Sequence, residues 1–311
     1  MESKSFPLST IAPGCSLSAT GTLVFGAGYV GSRVAQWARQ RYPGQPVYVV
    51  TRSRAKAAAW SRQGFLPVVA DWNDGRTLEE LPECGRVLVA VSFDARAGYS
   101  REESMVGGLG RLLTRLPPEA DLVYLSTTGV YHQTDGSWVD ETSPTRPVGP
   151  GGRAHLRAEE LLHRLRPSGR WVILRLAGIY GPGRLPRAKD ILAGRPIEGP
   201  NQGFLNLIHR DDAAAAVLAA WDQPDRKHRL YLVSDDSPVP RRRFYEELAR
   251  CLRCPPPTFV SGHSGNLSAR SSSDKRIWNR RVRQELLPRL LFPDYLRGLP
   301  HCLQCLASGS H

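Results

Sequence analysis

The sequence predicts an α/β protein built on a doubly wound parallel sheet. Two observations carry that expectation. Apolar, strand-like runs alternate with helical patterns through the first two-thirds of the chain, the pattern of a parallel sheet covered on both faces. The first of these runs leads directly into Gly26-Ala-Gly28-Tyr-Val-Gly31, a glycine turn that opens a helix.

"TLVFG" (22–26) reads as the first strand, followed by a helix from about Tyr29 to Arg41. "VYVV" (47–50) is the second strand, with an Ala-rich helix over 54–63. "FLPVVA" (65–70), "RVLVAVS" (86–92) and "DLVYLS" (121–126) supply further strands, and "REESMVGGLGRLLTRL" is helical between the last two. A long polar loop, 127–150, precedes a helix over about 153–166 and the strand "WVILRL" (171–176). From Gly178 the chain is rich in Gly and Pro, which predicts loop with at most a short helix near 187–193. A helix in "RDDAAAAVLAAW" and a strand "LYLVS" (230–234) return to the sheet. The helix "FYEELARCL", a Pro-Ser-Gly-rich linker over 255–274 and a basic C-terminal piece follow.

At 311 residues the chain can bury a substantial core. Its longest apolar run, "AAAAVLAAW" at 213–221, is too short to span a bilayer. Residues 1–20 hold one Lys and no compact apolar segment, so they read as a flexible extension rather than a secretory leader, and a cytoplasmic location is expected. The net charge of +13 comes from 42 basic against 29 acidic residues. Such an excess favours phosphate-bearing ligands. Nucleic acid is not the expected target, because the densest run, "KRIWNRRVR" at 275–283, reads equally well as the solvated face of a helix or turn. Four of the six cysteines form the pairs "CLRC" (251, 254) and "CLQC" (302, 305). Their separation exceeds zinc-ribbon spacing, so buried thiols are favoured over a structural metal, and no metal site is expected.

Gly26, Gly28 and Gly31 have the spacing of a dinucleotide-binding turn. Gly26 permits the tight turn, Gly28 lets a pyrophosphate approach the backbone, and Gly31 lets helix and strand pack closely. Tyr29 and Val30 open the helix, whose amides and positive dipole end would hold the phosphates. The second strand ends in Thr51, Arg52 and Ser53, where an NAD-binding chain normally places Asp or Glu. Arg52, Ser53 and Arg33 would bind a 2′-phosphate, so NADP(H) is preferred over NAD(H). Asp71, the next acidic residue, with Trp72 and Val91, completes the expected cofactor contacts.

"VFGAGYVGSRVA", "YLSTTGVYHQ", "VDETSPTRP", "RAEELL", "LRLAGIYGPGR", "LIHRDDAAAAVLAA" and "KRIWNRRV" follow one another in the order found in extended short-chain dehydrogenases/reductases. The chain resembles that group, the NAD(P)-dependent epimerase/dehydratase superfamily, and within it an atypical branch lacking the Tyr-x-x-x-Lys pair. The resemblance implies a Rossmann core over 21–177. It makes 178–311 mostly substrate-binding, with a returning Rossmann helix and strand at about 207–234, and it allows a homodimer. Thr127 falls at the family's substrate-oxygen contact. Counting back from Glu159 puts Gly151 at the Tyr position and His155 at the Lys position. None of the ten tyrosines has Lys four residues on; Tyr180 has Arg184 there, in the "YGPGR" loop, and is a further proton-transfer candidate. His155 would contact the ribose or shuttle a proton. Thr128, Tyr131, Arg184, Asn206 and His209 are the expected substrate contacts, with Arg184 and Arg187 placed to meet a diphosphate.

The expected function is therefore an NADP(H)-binding oxidoreductase or epimerase/dehydratase-like enzyme with an atypical active site. Its substrate would be small and polar, a nucleotide-sugar by analogy. The alternative is a non-catalytic NADP(H)-sensing protein that acts through a protein partner.

Overall fold

The computed structural model describes residues 20–260 and 273–307. The extension expected over 1–20 (except Thr20), Cys15 and most of the linker expected over 255–274 lie outside the described residues. Seven strands form one parallel sheet: β1 (Thr22–Phe25), β2 (Val47–Thr51), β3 (Leu66–Val69), β4 (Arg86–Val89), β5 (Asp121–Thr127), β6 (Trp171–Leu176) and β7 (Leu230–Val233). Their spatial order is β7-β6-β5-β4-β1-β2-β3. The order reverses between β1 and β4, the switch point at which such sheets bind ligands beyond the strands' carboxyl ends.

The sheet's interior strands are apolar on both faces because both faces are covered. Side chains alternate across the sheet. Val24, Val49, Leu88, Val123 and Val172 pack on one face beneath α1 (Tyr29–Arg41) and the returning Ala-rich helix Arg210–Asp222. Leu23, Phe25, Val87, Val89, Leu122 and Tyr124 pack on the other beneath the helices Gly108–Leu113 and Pro150–Leu165. With α2 (Arg54–Arg62), these are numbered in chain order α1, α2, α3 (Gly108–Leu113), α4 (Pro150–Leu165), α5 (Ala188–Leu192) and α6 (Arg210–Asp222). α6 is buried almost all round. Its small side chains allow it to pack closely against both α1 and the sheet without an amphipathic stripe.

The C-terminal third adds α7 (Arg241–Cys251), α8 (Arg280–Glu285) and α9 (Tyr295–Ala307). Tyr180, Phe244, Leu248, Tyr295 and Leu299 form a separate core there. Several local readings differ from the structure, and the stretch from Gly178, expected as loop, holds the short strands Gly178–Tyr180, Ile197–Glu198 and Phe204–Leu205. The polar loop 127–150 contains a strand, Thr134–Val139, and the basic run begins as the strand Asp274–Ile277 that pairs with it in parallel. "TDGSWV" holds too few apolar residues to signal a strand, and its partner is far away in sequence. Glu103–Gly107 is a π-helical turn ahead of a short α3, where one continuous helix was expected.

Candidate functional site

The three glycines of the turn have three different physical reasons. Gly26 has φ +106°, and a Cβ there would lie 2.7 Å from the Ala90 carbonyl just beyond β4. A Cβ on Gly31 would meet the Gly26 oxygen at 2.1 Å, which is what lets α1 start so close to β1. Gly28 faces open space, with nothing within 4 Å of a Cβ, so its backbone stays approachable. It is the N-cap of α1, makes no side-chain capping bond, and is followed by no acidic residue in the first turn. The free amides there are suited to an anion. Val30 is buried behind them.

At the end of β2 the Thr51 hydroxyl accepts from the Ser53 amide (3.2 Å), and Ser53 caps α2 by accepting from the Lys56 amide (3.3 Å). Arg52 is half-exposed and donates to Asp94 at 2.9 Å, with Asp71 3.8 Å away. Bonds from Arg52 and Arg96 hold the Asp94 carboxyl down to about 2. Arg33 does not reach this corner: it grips Asp211 of α6 through two bonds of 2.9 Å. Trp72 is buried, stacked on Phe25 at 6.1 Å and donating to Ser104 at 3.3 Å, while Val91 packs at the edge of the same core.

At the end of β5, the Thr127 hydroxyl accepts from the Gly129 amide at 3.0 Å, and no acceptor for its own proton is found among the described residues. Thr128 is buried beside it. A Cβ on Gly152 would lie 2.3 Å from the Gly129 oxygen, so the start of α4 rests backbone on backbone against this turn. Gly151 by contrast faces open space, with nothing within 4 Å. One turn further along α4, His155 Nδ1 lies 2.9 Å from the Tyr124 hydroxyl.

Sequence reading did not find what holds α4 in place. Glu159 and Arg175, both buried, pair at 2.6 Å (Nη2–Oε2) and 3.0 Å (Nε–Oε1). Ser126 donates to Glu159 at 2.5 Å, and Arg175 donates to the Tyr131 hydroxyl at 2.7 Å. Tyr131 is thus turned inward, and burial raises its phenol to about 12 despite the lowering effect of Arg175. Only the Glu of the "RAEELL" stretch carried a signal, and it gave no partner.

Three further expected site residues serve the C-terminal framework. Tyr180 is wholly buried, with its hydroxyl donating to the Asp294 carbonyl at 3.4 Å, and burial with Asp235 nearby keeps its phenol far above the usual range. Asn206 is consumed by the strand 274–277, donating to the Lys275 carbonyl (2.8 Å) and accepting from the Ile277 amide (2.7 Å). His209 caps α6, its Nδ1 accepting from the Asp211 amide at 3.1 Å. Arg184 is exposed beside Tyr29.

Among the described residues, one group has metal-ligand spacing: His209, His301 and Cys302, whose donor atoms lie within 4.8 Å of one another. Burial holds His209 neutral, at about 3, so the Nδ1 bond places its single ring proton on Nε2. That proton points at Cys302 Sγ, 3.7 Å away, and a protonated nitrogen cannot ligate a cation. The described cysteines are thiols, and burial raises Cys302 to about 12.

The basic run is tied internally. Lys275 is buried, lowered to about 8, and donates to the Tyr131 carbonyl at 3.3 Å. Arg276 donates to the Gly136 carbonyl (2.7 Å), and Arg283 pairs with Asp236 (3.1 Å).

No helix among the described residues is long and apolar enough to cross a membrane. Comparison with known proteins gives a consistent picture. Protein YeeZ of Escherichia coli K12 is 34% identical over 175 residues, 56% of this chain, and the chain spans only 60% of the length of that curated relative. A conserved Silicibacter pomeroyi protein of known structure shares 28% identity and a TM-score of 0.72, covering 94% of this chain and 99% of its own. A UDP-glucose 4-epimerase from Thermotoga maritima, solved with UDP-glucose, shares the fold at 17% identity and a TM-score of 0.76, covering 94% and 100%. The model of the NAD dependent epimerase/dehydratase family matches residues 22–233, more than half of the chain. On that match, the chain belongs to the NAD-dependent epimerase/dehydratase family.

Proposed function

We propose that this protein is an NADP(H)-binding oxidoreductase or epimerase/dehydratase-like enzyme acting on a small polar substrate, of the nucleotide-sugar class, through an atypical active site. The observation that carries the reading is the open glycine turn at the β1/β4 switch point, with Gly28 accessible and α1 uncapped. Thr127 donates its unengaged hydroxyl to the substrate oxygen, and His155 contacts the nicotinamide ribose where the family's Lys would. Tyr180, closed inside the C-terminal core, takes no part in proton transfer. The preference for NADP(H) rests on Arg52 and Ser53 and on the lack of a carboxylate at the end of β2.

Calorimetric titration of the nucleotide-free protein with NADPH and then NADH tests this. One-to-one binding that favours NADPH, and weakens in Arg52→Asp, supports it; failure to bind either nucleotide rejects it. A second reading, a non-catalytic NADP(H) sensor acting through a protein partner, is favoured by the empty space at Gly151, where no side chain can transfer a proton. Turnover of nucleotide-sugars that is lost in Thr127→Val and His155→Ala decides for the enzyme.

A further inference from the structure

Tyr29, the first residue of α1, is where three separate segments meet. Its hydroxyl donates to the Pro182 carbonyl at 2.9 Å, and Gly181 packs so closely that a Cβ there would lie 2.5 Å from the hydroxyl oxygen. Arg184 and Arg210 both lie over its ring, with Cζ 5.4 Å and 5.0 Å from the centroid, within cation–π range. Burial keeps the phenol protonated, so the ring offers a neutral π face.

The two arginines are held differently. Gly181 and Arg184 close a turn through reciprocal backbone bonds of 3.1 and 2.9 Å, which fixes Arg184 at the side of the glycine turn although its side chain is exposed. Arg184 makes no ion pair among the described residues. Arg210 is mostly covered and reaches Asp211 at 3.3 Å, but the same carboxylate is already gripped by Arg33 through two 2.9 Å bonds. Two guanidiniums therefore share the Asp211 carboxylate, and Arg184 adds a third positive charge on the Tyr29 ring with no carboxylate of its own among the described residues. This imbalance matches a ligand bearing two negative charges, and planar guanidiniums bind phosphate oxygens in pairs.

We propose that Arg184 and Arg210 are ligands of the diphosphate bridge of the dinucleotide, with the Tyr29 ring aligning both guanidiniums. This rests on the dinucleotide reading above, and it moves Arg184 from the substrate to the cofactor. A diphosphate also occurs in a nucleotide-sugar; the cofactor is the favoured source because Tyr29 directly follows Gly28.

The test titrates the full chain and its R184Q and R210Q variants with NADH, ADP-ribose, AMP and UDP by calorimetry. Loss of a charged hydrogen bond weakens NADH and ADP-ribose about tenfold in each variant, while AMP and UDP change less than about threefold. Exposed Arg184 can be replaced without disturbing the fold, and R210K with unchanged circular dichroism covers the case in which R210Q fails to fold. The inference is overturned if NADH and ADP-ribose bind R184Q and R210K as they bind the parent. It is equally overturned if UDP is weakened in their place, or if AMP weakens as much as NADH. A parent chain that binds neither NADH, NADPH nor ADP-ribose refutes the dinucleotide reading itself.

Discussion

The Tyr124 hydroxyl and His155 Nδ1 lie 2.9 Å apart at the interface of β5 and α4, a bond whose direction is tied to the imidazole's tautomer. Burial and the nearby Glu159 keep the Tyr124 phenol protonated. A buried O–H without an acceptor is costly, so we expect Tyr124 to donate to Nδ1, which puts the ring proton on Nε2. In the proposed function, this would make His155 a hydrogen-bond donor to the ribose, as a lysine is, rather than a base. Nitrogen-15 NMR of the histidines should show an Nε2–H tautomer for His155 that becomes mixed in Tyr124→Phe; an Nδ1–H ring in the parent protein would refute this.

Gly151 and Gly152 are neighbours in the first turn of α4 with opposite surroundings. Gly151→Ala fills open space and gains helix propensity, for a stabilisation of about 0.5–1 kcal/mol. Gly152→Ala must push α4 off the Gly129 carbonyl and is destabilising by about 1–3 kcal/mol. Denaturant melts of both variants compare the two. Equal effects of the same sign would contradict the packing described.

Arg52 is held by Asp94 at 2.9 Å, so a 2′-phosphate must displace a carboxylate to reach it. In Asp94→Asn that competition is weakened, and NADPH should bind several-fold tighter with NADH unchanged. Parallel titrations check the ratio. An equal gain for both nucleotides would place Arg52 outside the 2′-phosphate site.

The Glu159–Arg175 pair is buried on both sides, so removing one partner strands the other charge. Glu159→Gln should cost about 3–5 kcal/mol of unfolding free energy, measured in urea, whereas replacing both residues by Met should recover a large part of the loss. It should also loosen α4, seen as faster amide exchange around His155.

Asp212 accepts the Leu291 and Phe292 amides at 2.7 and 3.0 Å, yet burial raises its carboxyl to about 6. A folded value above the unfolded one means that the folded state binds the proton more tightly. Its contribution is therefore fully present below about pH 4 and is lost as pH rises through 6, by roughly 3 kcal/mol. The stability difference between parent and Asp212→Asn, measured at pH 4 and pH 7, should shift in favour of the variant at the higher pH.

The sequence by itself determined the parallel α/β sheet, the glycine turn and the absence of a Tyr-x-x-x-Lys pair. These are matters of period and spacing over a few residues, and a run such as "WVILRL" states its buried strand locally. It could not state which distant groups meet. Thr134–Val139 is a strand because Asp274–Ile277 pairs with it, and Arg33 joins α6 because Asp211 is brought within 2.9 Å. Tyr131 and Tyr180 turn into cores whose other members come from elsewhere in the chain. Only the tertiary structure decided these points, because burial and charge pairing depend on which segments are brought together, and local spacing does not encode that.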